Sequence, residues 1–148
     1  MRMMRSGRVG AIAVLALGTL VLAGIGIGRA AADTNTGQGV FTSAQSKRGE
    51  AVYMANCAQC HQPDLGGRAP VPELAGDTFL SHWLNHSIGD LYTRISTTMP
   101  QGRPGSLSKD QYTDVIAFLL DSNGFPSGST ELKPDSAALK NIQIAGQH

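Results

Sequence analysis

The sequence holds only two cysteines in 148 residues. Two thiols exclude a disulfide framework, and a zinc site would need more ligands than they supply. Aromatic residues make up 5% of the chain, with one tryptophan, so only a modest core can be anchored by rings. Charged residues reach 16%, and the formal net charge is +1, without the basic excess of a nucleic-acid binder. Strand-like alternation is almost absent around the cysteines, which argues against the βαβ surround of a thioredoxin-like dithiol. No internal repeat is visible.

What the chain does have is Cys57-Ala58-Gln59-Cys60-His61. Two cysteines three apart, with a histidine next, read as a c-type haem attachment site. If the segment is helical, Cys57 and Cys60 share a face at i and i+3, and His61 joins them at i+4 from Cys57. Two thiols on one face can form thioethers to the two vinyl groups of one haem. The adjacent imidazole can then reach the iron from the proximal side. His82 and His86 could complete a Cys2His2 zinc set on paper, but that would leave His61 unexplained. A disulfide across two intervening residues would close too small a loop to constrain the unfolded chain much. One haem c, with its iron, is therefore the expected cofactor.

The N-terminus gives an address. Residues 1–8 carry three arginines and no acid, Val9 to Gly28 is a weakly polar-to-apolar run, and Ala30-Ala31-Ala32 offers a small-residue cleavage site. Basic, apolar, then small is the order of a secretory signal. The run is also nearly long enough to be an uncleaved membrane anchor, although its glycines make it a poor span. Either way residues 33–148 are expected outside the cytoplasm, in the periplasm, where haem c is attached. Four of the 12 basic residues precede Asp33, leaving eight against 11 acids and a net charge of −3 for the remainder. With four lysines left, docking is expected through a mostly uncharged patch around the haem edge. A haem would also supply much of the apolar centre of so small a domain, so the haem-free chain is expected to be poorly folded.

Local signals divide the rest. Residues 1–32 are the signal peptide or anchor, 33–42 read as a flexible lead-in, 43–124 as the haem domain, and 125–148 as a C-terminal extension. A first helix is expected from Ser43 to Cys60, with Gly49 and Tyr53 one turn apart. Glycine costs helix propensity there, so another helix is expected to approach closely. Residues 62–78 are a Gly/Pro loop. A short helix is expected from Phe79 to Asn85. Ser87-Ile88-Gly89-Asp90 resembles a capping box that opens a helix to about Thr98, and Ser108-Lys109-Asp110-Gln111 is a second one. Tyr112, Val115, Ile116 and Leu119 follow at helical spacing, and Asn123-Gly124 ends that helix. The tail could wrap the domain or be partly disordered.

The sixth iron partner is narrowed by elimination. Beyond the signal the methionines are Met54 and Met99. Met54 lies three residues before Cys57, too close to cross to the other haem face. Met99 precedes Pro100, which biases it towards extended backbone and lets its thioether project into a pocket. A soft sulfur stabilises ferrous iron, so His/Met ligation raises the reduction potential. His82 and His86, at i and i+4, are the alternative. A ligating histidine usually donates its other N–H to an oxygen, and the segment from Pro72 to Gly76 is the candidate acceptor. Trp83 is either a core anchor or a hydrogen-bond donor near a haem propionate.

These residues resemble the class I c-type cytochromes. Gly49, Tyr53 and Cys57 to His61 match the first helix and attachment site. Pro72-x-Leu-x-Gly matches the loop that orients the axial histidine. Met99-Pro100 and Asp110 to Leu120 match the distal ligand and final helix. The resemblance spans roughly residues 44–124. It implies an all-α fold of three to five short helices around one covalent haem, with the first and last helices crossing at Gly49 against the Ile116/Leu120 side. The segments GDLYTRISTTMP and AFLLDSNGFPSGSTEL are also similar to small cytochromes that accompany pyrroloquinoline quinone-dependent dehydrogenases. The expectation is a one-electron carrier rather than an enzyme. Its expected donor is a periplasmic dehydrogenase, of quinoprotein type, and its acceptor an oxidase or another cytochrome. A subunit fixed in a dehydrogenase complex, or a catalytic or gas-sensing haem protein, are the alternatives. No nucleic acid is expected, and a membrane only if the N-terminal segment stays on.

Overall fold

The computed structural model describes residues 34–146. The signal or anchor expected over 1–32 lies outside the described residues, as does His148. Among the described residues no helix is long and apolar enough to cross a membrane.

The chain opens on a two-residue strand, β1 (Thr34–Asn35), and a single 3-10 turn, Thr36–Gln38. The longest helices are α1 (Ser43–Asn56) and α5 (Lys109–Ser122). Between them lie α2 (Ala58–His61), α3 (Gly76–Trp83) and α4 (Ile88–Thr98). The tail adds α6 (Ser136–Lys140) and β2 (Ile142–Gln143). The all-α expectation holds, with single-turn α2 and α6 taking the count past five.

Capping explains where the helices begin. Thr42 Oγ1 accepts the Gln45 N–H at 3.1 Å and opens α1. Both expected capping boxes form: Ser87 and Asp90 at α4, Ser108 and Gln111 at α5. Each satisfies two backbone donors that a helix start leaves without partners. Gly124, at φ 79°, takes the left-handed position that ends α5.

α1 crosses α5 at Gly49. A Cβ there would overlap the Asp114 carbonyl oxygen and lie 2.9 Å from Phe118 Cβ. The close approach was expected, but the partner is Asp114 and Phe118, not the Ile116/Leu120 side. Those two side chains are fully buried in the core instead. Tyr53 packs its ring on Phe118 at 5.2 Å. Arg48 straps the crossing from outside, bonding both Asp114 carboxylate oxygens at 3.1 Å and Glu131 at 3.0 Å. Hydrogen bonds to these carboxylates raise the guanidinium pKa above its ordinary value.

The lead-in is not the loose segment expected for residues 33–42. β1 pairs in parallel with β2, Thr34 opposite Ile142 and Asn35 opposite Gln143. Thr36 and Phe41 are fully buried. The tail wraps the domain rather than leaving it. Phe125, Leu132, Leu139 and Ile144 are each at most 4% exposed. Each such side chain contributes about 2 kcal/mol of burial. Gln45, in α1, fastens the wrap through a reciprocal pair: its amide donates to the Leu132 carbonyl at 2.9 Å and accepts the Leu132 N–H at 2.8 Å.

Candidate haem attachment site

The expected single helix through the cysteines breaks at Cys57, whose φ of −122° closes α1 and starts α2. The backbone nevertheless keeps a helical turn. The Cys57 N–H donates to Tyr53 O at 2.8 Å. The Cys60 and His61 N–H groups both donate to Cys57 O, at 3.1 and 3.0 Å. Cys57 and Cys60 therefore sit on one turn as free thiols, the first half-buried and the second exposed. Burial, with a smaller contribution from Cys60, pushes the Cys57 thiol up to about 11. The haem-free chain thus carries a protonated thiol there near neutrality.

His61 is buried, 8% exposed. Its Nδ1 lies 3.0 Å from the carbonyl oxygen of Pro72. A carbonyl only accepts, so Nδ1 carries a proton, and in the neutral ring the lone pair is on Nε2. That tautomer is the one a metal-binding imidazole needs. The loop bearing Pro72 is itself held. The Gly67 N–H donates to His61 O at 2.9 Å, and the Leu74 N–H donates to Leu65 O at 2.8 Å. Asn123, at the end of α5, donates to Leu74 O at 3.0 Å and accepts the Gly76 N–H at 2.9 Å. On the other side, the buried Tyr53 hydroxyl donates to Gln62 O at 2.7 Å. Burial raises the Tyr53 phenol pKa above its ordinary value, with Cys57 and Asp64 adding to it.

Met99 caps the C-terminus of α4 in extended backbone, φ −125° and ψ 153°, as its proline neighbour requires. Its side chain is half-buried. Met54 is 43% exposed on α1. Trp83 ends α3, half-buried, with the rings of His82 and His86 edge-on to it at 5.0 and 5.8 Å. The two histidines do not share a helix face, because α3 stops at Trp83 and Asn85 turns through φ 66°. Both are exposed.

The residues present fit a covalent haem. Two free thiols lie on one turn, and the next residue is an imidazole of fixed tautomer. Leu74, Ala75, Leu80, Trp83, Tyr92 and Ile95 pack on the core yet stay partly open. All six lie in the segment between His61 and Met99. Among the described residues no group of three His, Cys, Asp or Glu side chains could hold a bare metal ion. The spacing signal pointed to the motif and to the Pro72 segment that meets His61. It did not show the Asn123 clip, which joins residues 47 and 49 positions apart, or the Tyr53 hydroxyl bond to Gln62.

The family model described as cytochrome c oxidase, cbb3-type, subunit III, matches residues 44–119. No curated protein matches the chain. Among solved structures, the sulfane dehydrogenase SoxCD from Paracoccus pantotrophus aligns at 25% identity with a TM-score of 0.47, over 81% of this chain and 68% of that one.

Proposed function

The chain belongs to this family of class I c-type cytochromes, whose members bind haem c covalently and carry electrons, and on that premise we propose that it is a one-electron shuttle with both axial positions filled by the protein. Cys57 and Cys60 are the attachment thiols, His61 the proximal ligand and Met99 the distal one. The haem supplies the one-electron change between ferric and ferrous iron. The chain's own residues hold it, exclude water and set its potential. The observation that carries this reading is the Pro72 carbonyl on His61 Nδ1, which leaves Nε2 free beside the two thiols.

With His61 and Met99 both bound, no position is open for peroxide or a gas, so the protein turns over no substrate. The donor is a periplasmic dehydrogenase of quinoprotein type, and the acceptor an oxidase or another cytochrome. The similarity of residues 89–100 and 117–132 to quinoprotein-associated cytochromes supports that donor. Trp83, half-buried at the end of α3, is the candidate donor to a propionate. The protein acts outside the cytoplasm.

Met99→Ala tests the assignment. The variant is expected to lose the weak ferric charge-transfer band of methionine–iron ligation and to drop in potential. A band that persists moves the distal ligand elsewhere. Rapid, complete binding of carbon monoxide to the reduced wild-type protein at neutral pH would sink the shuttle reading.

A further inference from the structure

Met99 has two backbone polar groups, and other residues hold both. Its N–H donates to Ile95 O at 2.9 Å and closes the last turn of α4. Its carbonyl accepts the hydroxyl of Tyr112 at 2.9 Å, from 13 residues further along the chain. The loop that follows gives no comparable hold. Residues 101–106 are all exposed. Their hydrogen bonds run from Arg103 N–H to Pro100 O at 2.9 Å and from Ser106 N–H to Arg103 O at 3.2 Å, turning the loop upon itself.

Tyr112 is placed to act as a fixed arm. The Ser108 capping box sets the first turn of α5, and the Tyr112 N–H donates to Ser108 O at 3.1 Å. The residue is 2% exposed. Its ring stands edge-on to Tyr92 of α4, with centroids 6.1 Å apart and planes at 78°. The ring is thus locked between two helices, and its one polar atom is spent on the Met99 carbonyl. A phenylalanine would fill the same core volume. The hydroxyl is there for the bond.

We propose that Tyr112 is the positioning residue for Met99: its hydroxyl holds the Met99 carbonyl and so fixes the direction from which the thioether is offered to the iron. This inference rests on the reading of Met99 as distal ligand. A net neutral hydrogen bond corresponds to about a two- to twelvefold change in an equilibrium constant. Loss of the hydroxyl therefore makes methionine easier to displace by about that factor.

The test titrates the ferric holoprotein with imidazole, which competes with methionine for the iron, while the methionine–iron charge-transfer band is followed. Tyr112→Phe is expected to keep the band without imidazole and to lower the apparent imidazole Kd by about two- to twelvefold. Tyr112→4-aminophenylalanine, which restores an N–H donor on the same ring, is expected to return the Kd towards wild type. Thr42→Ala removes the α1 cap, a comparable destabilisation away from Met99, and is expected to leave the Kd unchanged. A Tyr112→Phe Kd equal to wild type overturns the inference. So does an equal shift in Thr42→Ala, or no return with the amino analogue. Met99→Ala separates the two failures. If it keeps the band, the ligand reading falls and takes Tyr112 with it. If it loses the band while Tyr112→Phe titrates as wild type, only the positioning role falls.

Discussion

Gly49→Ala sets two opposed effects of known size against each other. In an exposed helix interior, alanine for glycine stabilises by about 1 kcal/mol. Here the new Cβ would overlap the carbonyl oxygen of Asp114 and stand 2.9 Å from Phe118 Cβ. The obstacle is the backbone of another helix, so no side-chain rotation clears it, and α1 and α5 must separate. Separation disturbs the Tyr53–Phe118 ring contact at 5.2 Å and the Arg48–Asp114 pair at 3.1 Å. Overpacking of a filled site costs about 1–3 kcal/mol, and a backbone overlap belongs at the upper end. After the propensity gain, the net loss is about 2 kcal/mol. With a urea slope of about 1–3 kcal/mol per molar, the midpoint falls by roughly 1 M. The assay is urea unfolding of the ferric holoprotein, followed by haem absorbance and by circular dichroism. Gly146→Ala is the control, since its Cβ would meet nothing within 4 Å. A Gly49→Ala midpoint indistinguishable from wild type would refute the claim that this crossing admits only glycine.

Three further outcomes are expected. Gln45→Ala strands a buried Leu132 N–H and carbonyl, and at about 1–3 kcal/mol for a buried group left without its partner it should lower the urea midpoint by about 1 M; an unchanged midpoint would mean the tail is not fastened there. Asp90 accepts from the Ser87 hydroxyl and N–H, which hold its carboxyl below the ordinary 3.8. A depressed folded-state pKa gives stability that is complete above the unfolded value and is lost as pH falls through the folded one. Asp90→Asn should therefore flatten the loss of stability below about pH 4 in urea midpoints measured across the acid range, and an unaltered acid limb would contradict the linkage. The haem-free double variant Cys57→Ala/Cys60→Ala is expected to lose native-like helicity, and a native circular dichroism spectrum would show that the core closes without the haem.

The helices were legible wherever local chemistry marks a start or a stop. Ser87 with Asp90, and Ser108 with Gln111, are signals four residues long, and both helices begin where they say. The pair Met99-Pro100 gave the extended backbone for the same local reason. The break at Cys57 follows neither proline nor glycine, so nothing in the neighbouring residues announces it. His86 misled the helical spacing argument because Asn85 turns left-handed at φ 66° just before it. The order of the lead-in and tail was hidden for a different reason. A two-residue strand has no readable period, and its partner is more than 100 positions away. The Gln45–Leu132 pair spans 87 positions and shows in the sequence only as one polar residue in a helix.

The segments outside the family match bear on the site through α4. The match ends at residue 119, yet Phe125, Leu132, Leu139 and Ile144 belong to the same buried cluster as Ile88 and Leu91 of α4. At the start of α4, a Cβ on Gly89 would meet the Lys140 backbone nitrogen at 2.9 Å, so α6 lies directly on that turn. The link into α4 is tied as well, with the Asn85 N–H donating to Ile144 O and the Ile144 N–H to His86 O, both at 2.9 Å. α4 therefore has its first turn set by the tail, and Met99, which caps its C-terminus, is held by Tyr112 of α5. A helix held at both ends gives Met99 little freedom to drift. Loosening the tail at Gln45 should then act on the site as well as on stability: Gln45→Ala is expected to raise the affinity of the ferric holoprotein for imidazole. An imidazole affinity equal to wild type, alongside a lowered urea midpoint, would show that the tail stabilises the fold without steadying Met99.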